Sequence, residues 1–181
     1  MLDTAHARLL TELRLKLRQG RRQDGAALHE LIGGILADYG LPPDLEGMDA
    51  DLDDVQRSYA GRAGRLEVLE DSSGALVGSC GVLPLSETQC ELRKLYLTRR
   101  FRGRGLGRML LERALAWAQK HGYREMELHT AAALTEAVAL YEAYGFVRSG
   151  GPVKPSARCE LFFRLQLSAR VVTPAGAGAK P

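Results

Sequence analysis

The 181-residue chain contains no asparagine, a single tryptophan and only three cysteines. It also lacks any apolar run approaching the roughly 18 residues of a membrane span. Cys80, Cys90 and Cys159 are odd in number, far apart and in no CxxC pairing, which argues against a disulfide framework and a structural zinc site. Each lies in a strand-like apolar context and reads as a buried, inert thiol. The first residues have no apolar core of a signal peptide. A cytoplasmic protein is therefore expected, with no membrane partner and no metal. A net charge of +3 is too mild to indicate nucleic acid. The basic residues are nearly all arginine, a bias that codon usage produces as readily as function. An apolar fraction of 45% and a charged fraction of 26% are those of an ordinary globular domain.

Periodicity supplies the elements. "LRLKLRQ" (13–19) alternates apolar and basic residues and reads as a strand. "DGAALHELIGGILADYG" (24–40) carries Leu28, Leu31, Ile32, Ile35 and Leu36 at helical spacing, with Asp24 as N-cap candidate. "DADLDDVQRSYA" (49–60) predicts a short acidic helix. "GRLEVLED" and "ALVGSCGVLPL" flank the turn "DSSG" and form an antiparallel hairpin. "QCELRKLYL" (89–97) is a further strand. A helix to Gly122, the strand "REMELHT", a helix ended by Gly145 and two final strands follow. The order β-α-α-β-β-β-α-β-α-β-β predicts an α/β (α+β) fold, a mixed sheet with helices on its faces. Residues 1–167 form one domain; the Ala-, Gly- and Pro-rich tail 168–181 reads as disordered.

The densest chemistry lies in "RRFRGRGLGR" (99–108), three glycines and five arginines between a strand and a helix. The first amides of that helix have no intrahelical acceptor, and they sit at the positive end of its dipole. Gly103, Gly105 and Gly107 let a ligand approach the backbone, while Arg102, Arg104 and Arg108 add positive field. This suits a phosphate or pyrophosphate. A P-loop is excluded, since no GK followed by Ser or Thr is present, and GxGxxG is not met. The alternatives are a glycine-rich turn with solvated arginines, or a nucleic-acid patch. The latter lacks interleaved aromatics, since only Phe101 is near.

"RGRGLG" (102–107) fits the Arg/Gln-x-x-Gly-x-Gly/Ala signature of the GNAT superfamily of acyl-CoA-dependent N-acetyltransferases. "ELRKLYLTRRFRGRGLGRMLLERALAWAQKHGY" and "LTEAVALYEAYGFVR" resemble that family's central strand, pyrophosphate helix and later helix in the same order and spacing. The resemblance spans about 13–167. It implies one domain with about seven strands, splayed between strands 4 and 5, and about four helices. Acetyl-CoA is the implied cosubstrate. Backbone groups of Leu95, Tyr96 and Leu97 would hold its pantetheine arm, and the amides of Arg102, Gly103, Arg104, Gly105, Leu106, Gly107 and Arg108 its pyrophosphate.

The resemblance also implies direct attack of an amine on the thioester. Tyr141 stands where many members carry a general-acid tyrosine, though Leu134, Ala137, Val138 and Tyr141 also form the helix's apolar face. Tyr144 lies off that face. Glu91 stands where several members carry a general-base glutamate; it reads equally as a strand carboxylate paired with Arg93. His129 at a strand end is a further candidate base. The asparagine that many members carry before the tyrosine is absent, with Leu134 and Thr135 in its neighbourhood. The resemblance implies an amine-bearing small molecule or peptide as acceptor, specified by the first two helices, the loop between them and the last hairpin. The acidic segment 49–56 either attracts a cationic amine or is a solvated helix face. A homodimer is compatible with the resemblance. A non-catalytic acyl-CoA-binding regulatory module is the alternative to an enzyme.

Overall fold

In the computed structural model the described residues are 4–151 and 159–167, so the tail expected from 168 lies outside them. Seven strands form one sheet: β1 (Lys16–Gln19), β2 (Arg65–Glu70), β3 (Leu76–Pro84), β4 (Gln89–Leu97), β5 (Glu125–Thr130), β6 (Val147–Arg148) and β7 (Leu161–Gln166). The order across the sheet is β1-β2-β3-β4-β5-β7-β6. Every pairing is antiparallel except β4 with β5. This is the mixed sheet the sequence predicts.

Five α-helices accompany it, not four: α1 (Thr4–Glu12), α2 (Gly25–Ala37), α3 (Val55–Ser58), α4 (Leu106–Lys120) and α5 (Thr135–Ala143). Helix α1 is the addition. Its apolar stripe is narrow and its only buried residue is Leu10, so packing against the domain rather than periodicity defines it. Arg14 ends it at a positive φ of 53°, and β1 therefore starts at Lys16 rather than Leu13. Glu112 of α4 accepts from His6 of α1 (3.0 Å) and from the Tyr144 hydroxyl after α5, tying three helices together.

Two apolar layers sandwich the sheet. Leu10, Met109, Leu110, Ala114, Tyr141 and Phe163 belong to the layer under α1, α4 and α5. Leu28, Ile32, Ile35, Leu36, Leu52 and Tyr59 belong to the layer under α2 and α3. All five apolar positions expected on α2 are buried. Asp24 precedes that helix but makes no cap hydrogen bond into it. Its carboxylate instead takes two bonds from Arg18 (2.7 and 3.0 Å) and the Arg21 amide (2.7 Å). Burial opposes its ionisation, but these donors outweigh burial and hold the group below the usual carboxylate range.

The acidic segment is not one solvated helix. It breaks into a 3-10 turn (Ala50–Leu52) and the four-residue α3, and Asp49 faces inward with 2% exposure. The reason lies in β4, whose pairing with β3 slips between Ser79 and Gly81. Cys90 and Leu92 lie in the α4 layer; one extra residue is then inserted, and Leu95 and Leu97 pack against the same layer. Lys94 takes up the slip at φ 55°, a left-handed conformation a lysine rarely adopts. Both Arg93 and Lys94 consequently reach the segment 48–51.

Packing at the glycines predicts opposite signs for two alanine substitutions. A Cβ on Gly81 meets the Tyr59 ring at 2.6 Å, so Gly81→Ala is expected to destabilise by about 1–3 kcal/mol. A Cβ on Gly33, inside α2, meets nothing within 4 Å, and Gly33→Ala is expected to stabilise by about 0.5–1 kcal/mol. Urea unfolding of both variants measures the two shifts.

Candidate active site

Strands β4 and β5 pair over three positions only: Gln89 with Glu125, Cys90 with Met126 and Glu91 with Glu127. Beyond Glu91, β4 stays with β3 and β5 stays with β7, so the sheet opens between them. Two spaces occupy the opening.

The larger is a groove of about 430 Å³ lined by Leu95, Tyr96, Leu97, the 102–108 loop, Leu134, Ala137 and Leu140. Its far end is the start of α4. Gly103 and Gly105 sit at φ 71° and 83°, and the first intrahelical bond at that end runs from Met109 N to Gly105 O (3.0 Å). The amides of Leu106, Gly107 and Arg108 therefore precede any i−4 acceptor and are offered to a ligand. Gly107 needs no special backbone, and a Cβ there would meet only Leu140 at 3.7 Å. Of the flanking arginines, Arg102 and Arg108 line the groove, while Arg104 is exposed outside it. The Leu106 side chain is fully buried, which leaves only its backbone for a ligand.

Across the groove runs a polar clasp absent from the expected set. Arg102 Nε donates to the Leu97 carbonyl (2.9 Å) and its Nη1 to the Tyr39 hydroxyl (2.6 Å). That hydroxyl donates to Glu136 of α5 (2.8 Å). The Tyr39 bond holds the Glu136 carboxyl below its ordinary range. The Leu97 carbonyl, expected to serve a ligand, is thus engaged by Arg102 in this state.

The smaller space, about 50 Å³, lies on the other side of the opening. Met48, Glu91, Lys94, His129, Tyr141 and Cys159 are among its walls. For comparison, one water takes about 30 Å³ in the liquid. The two spaces share Leu95, Tyr96, Leu134 and Ala137, so they meet at the bulged part of β4.

Tyr141 is 6% exposed and packs against the rings of Phe146 (5.7 Å) and Phe163 (6.4 Å). Both descriptions of this residue hold: it is on the apolar face of α5 and at the opening. Burial pushes its phenol well above the ordinary tyrosine value, so it keeps its proton. Glu91 is 4% exposed and lies 3.7 Å from Arg93 Nη1. His129 stacks at 4.8 Å against Phe162 at the edge of the same chamber. Tyr144 is excluded from the site by its bond to Glu112.

Lys94, Met48 and Cys159, for which the sequence suggested no site role, complete this chamber together with Asp49 of the acidic segment. The sequence does carry a signal for the first. Apolar residues at 90 and 92 are followed by 95 and 97 rather than 94 and 96, so the strand alternation slips at two adjacent cations. Cys159 approaches the Met48 sulfur at 3.0 Å.

A sequence model of the acetyltransferase (GNAT) family matches residues 34–146. The uncharacterized N-acetyltransferase YjgM of Escherichia coli K12 is 34% identical over 135 residues, covering 72% of this chain and 80% of the relative. The crystal structure of a GNAT-family acetyltransferase from Staphylococcus aureus Mu50 superimposes with a TM-score of 0.77 at 19% identity, covering 85% of this chain and 99% of that one. A putative acetyltransferase from Salmonella typhimurium, solved with acetyl-CoA, gives 0.65 at 20% identity and covers 90% and 99%. At these identities the two structures establish likeness of fold.

The site geometry bears on thiol chemistry. Burial pushes the Cys90 thiol up to about 12 and the fully buried Cys80 thiol higher still. In a Cys159→Ser background, the folded chain is expected to release no colour from a disulfide thiol reagent at pH 8, and to react fully in urea. Rapid reaction of folded protein would contradict this burial.

Proposed function

The chain belongs to the GNAT acetyltransferase family and is an acetyl-CoA-dependent N-acyltransferase, and from that premise we propose that it transfers acetyl directly to a primary amine in a ternary complex. The observation that carries this reading is the meeting of the two spaces at Leu95, Tyr96, Leu134 and Ala137. A donor in the groove and an acceptor in the chamber then share one boundary, and no relay residue is needed between them.

The groove fits acetyl-CoA in two respects. Its far end offers helix-start amides framed by two glycines at positive φ, suited to a pyrophosphate. Its wall is the edge of β4 that β5 has left, suited to an extended amide-bearing arm. Leu95, Tyr96 and Leu97 would hold that arm, and Gly103, Gly105, Leu106, Gly107 and Arg108 the diphosphate, with Arg102 and Arg104 adding field. Acetyl-CoA supplies an activated acyl carbon and a thiolate leaving group.

The remaining work belongs to this chain. The Tyr141 phenol stays protonated because its apolar surroundings disfavour the phenolate, so it stands as proton donor to the departing sulfur. Glu91, at the last paired position before the opening, is the group we assign to take the proton released by the incoming ammonium. His129 is the second acceptor of that proton within the same chamber. Orientation at the shared boundary contributes the larger part of the acceleration, because a thiolate leaves readily. The buried thiols of Cys80 and Cys90 fit a cytoplasmic setting, and no helix among the described residues is long and apolar enough to cross a membrane.

Three outcomes test the assignment. Gly105→Glu is expected to abolish acetyl-CoA binding by calorimetry while circular dichroism stays unchanged; retained affinity would remove the loop from the donor site. Tyr141→Phe is expected to lower turnover about a hundredfold with acetyl-CoA affinity within about threefold. The sign of the pH dependence follows from the raised phenol: the rate climbs as the amine substrate loses its proton, while the phenol keeps its own. No descending limb is expected below about pH 10. A fall in the wild-type rate between pH 8 and 10 that is absent from Tyr141→Phe would assign Tyr141 an ordinary phenol and contradict this environment.

A further inference from the structure

The smaller chamber contains an anionic corner that the chain has already filled. Lys94 is buried, and its Nζ donates to the Met48 carbonyl (2.6 Å) and to Asp49 Oδ1 (2.6 Å), with Asp51 Oδ1 at 3.1 Å. Arg93 reinforces the same segment through Met48 O (2.9 Å) and Asp51 (3.4 Å), and the Tyr59 hydroxyl donates to Asp51 (2.7 Å). Lys94 and Asp49 both line the chamber. A carbonyl and two carboxylates converging on one ammonium are the set that would otherwise bind the second cation of a diamine. Here the ammonium is intramolecular, delivered by a lysine whose backbone occupies the left-handed region at φ 55°. The space left over beside this corner is small, about 50 Å³.

We propose that Lys94 is a specificity-determining residue: its own ammonium occupies the cation subsite beside the acceptor, so the enzyme selects amines with one positive charge near the reacting end and gains nothing from a second. This rests on the reading of the chamber as the acceptor pocket. It also reassigns the acidic segment. Asp49 and Asp51 already face the Lys94 ammonium from inside, at 2.6 and 3.1 Å, which opposes recruitment of a polycation from solvent. A diamine would have to leave its second ammonium in the apolar part of the chamber, where desolvation is uncompensated, or compete with a tethered lysine.

The test compares pentylamine with 1,5-diaminopentane as acceptors at fixed acetyl-CoA. The wild type is expected to show kcat/KM for the diamine no higher than for the monoamine. Lys94→Ala opens the corner and is expected to reverse the preference toward the diamine by about tenfold, the worth of one charge-assisted contact set. Adding Asp49→Asn to that variant is expected to remove the gain. A wild type that prefers the diamine tenfold overturns the proposal, and so does a folded Lys94→Ala variant with an unchanged ratio. A second readout needs no turnover: n-propylammonium, which replaces the deleted stem and ammonium, is expected to raise the Tm of Lys94→Ala saturably and leave the wild type unmoved. Absence of this rescue in folded protein also overturns the proposal. If the wild type acetylates neither amine, the acceptor-pocket reading fails and the rescue alone decides whether Lys94 fills a cation subsite. If Lys94→Ala does not fold, the wild-type ratio decides.

Discussion

One inserted residue in β4 sets the geometry on which both halves of the site depend. Without Lys94 as an extra residue, β4 would continue its alternation, and Leu95 and Leu97 would turn away from the layer under α4. With it, the strand bends where β5 has just separated, and two consecutive cations point to the same segment. The left-handed backbone at Lys94 is unfavourable for a lysine by roughly 1–2 kcal/mol. The Ser79 hydroxyl on the Lys94 carbonyl (2.7 Å) and the acidic and carbonyl partners of its ammonium hold it there. A buried ammonium with three oxygen partners is costly to disrupt, because removal of one side strands the other in a poorly solvated place. The bulge and the wall of the smaller chamber are in this sense a single unit.

The two spaces that meet there differ in physical character, and the difference matches the chemistry. The groove ends in backbone donors, whose positions are set by glycine conformation rather than by side-chain rotamers, so an anion is held without long flexible arms. The chamber is small and closed by aromatic packing. Burial keeps the Tyr141 phenol protonated, as the role proposed for it, proton donor to a departing thiolate, requires. The clasp of Arg102, Tyr39 and Glu136 joins α2, the glycine loop and α5 over the groove. Arg102 in the clasp donates to the Leu97 carbonyl.

The elements whose burial is one-sided were legible in the chain. Leu28 through Leu36 at helical spacing gave α2, the "DSSG" turn gave the β2–β3 hairpin, and the glycines at 103 and 105 marked the turn that opens α4. These signals are local: a period, a turn or a positive φ is dictated by neighbours in sequence. Helix α1 was missed because its stripe is too narrow to stand alone and exists by docking through Leu10 and His6. The acidic segment, which reads in sequence as a short helix that either attracts a cationic amine or faces solvent, departs from that reading for a related reason. Charge in a sequence does not reveal its partner, and Asp49 meets Lys94 across 45 residues of chain.

The sequence by itself determined the family, the order of elements from β1 onward and the glycine loop that opens α4, since each follows from short-range pattern. Only the tertiary structure decided where the sheet parts after Glu91, that Tyr141 and Glu91 share one chamber, and that the acids beside it are already answered by Lys94. Those facts depend on register and on pairing between distant residues. A one-residue slip at Lys94 changes which face each later side chain takes, and its consequence appears only when the strand is packed against its neighbours.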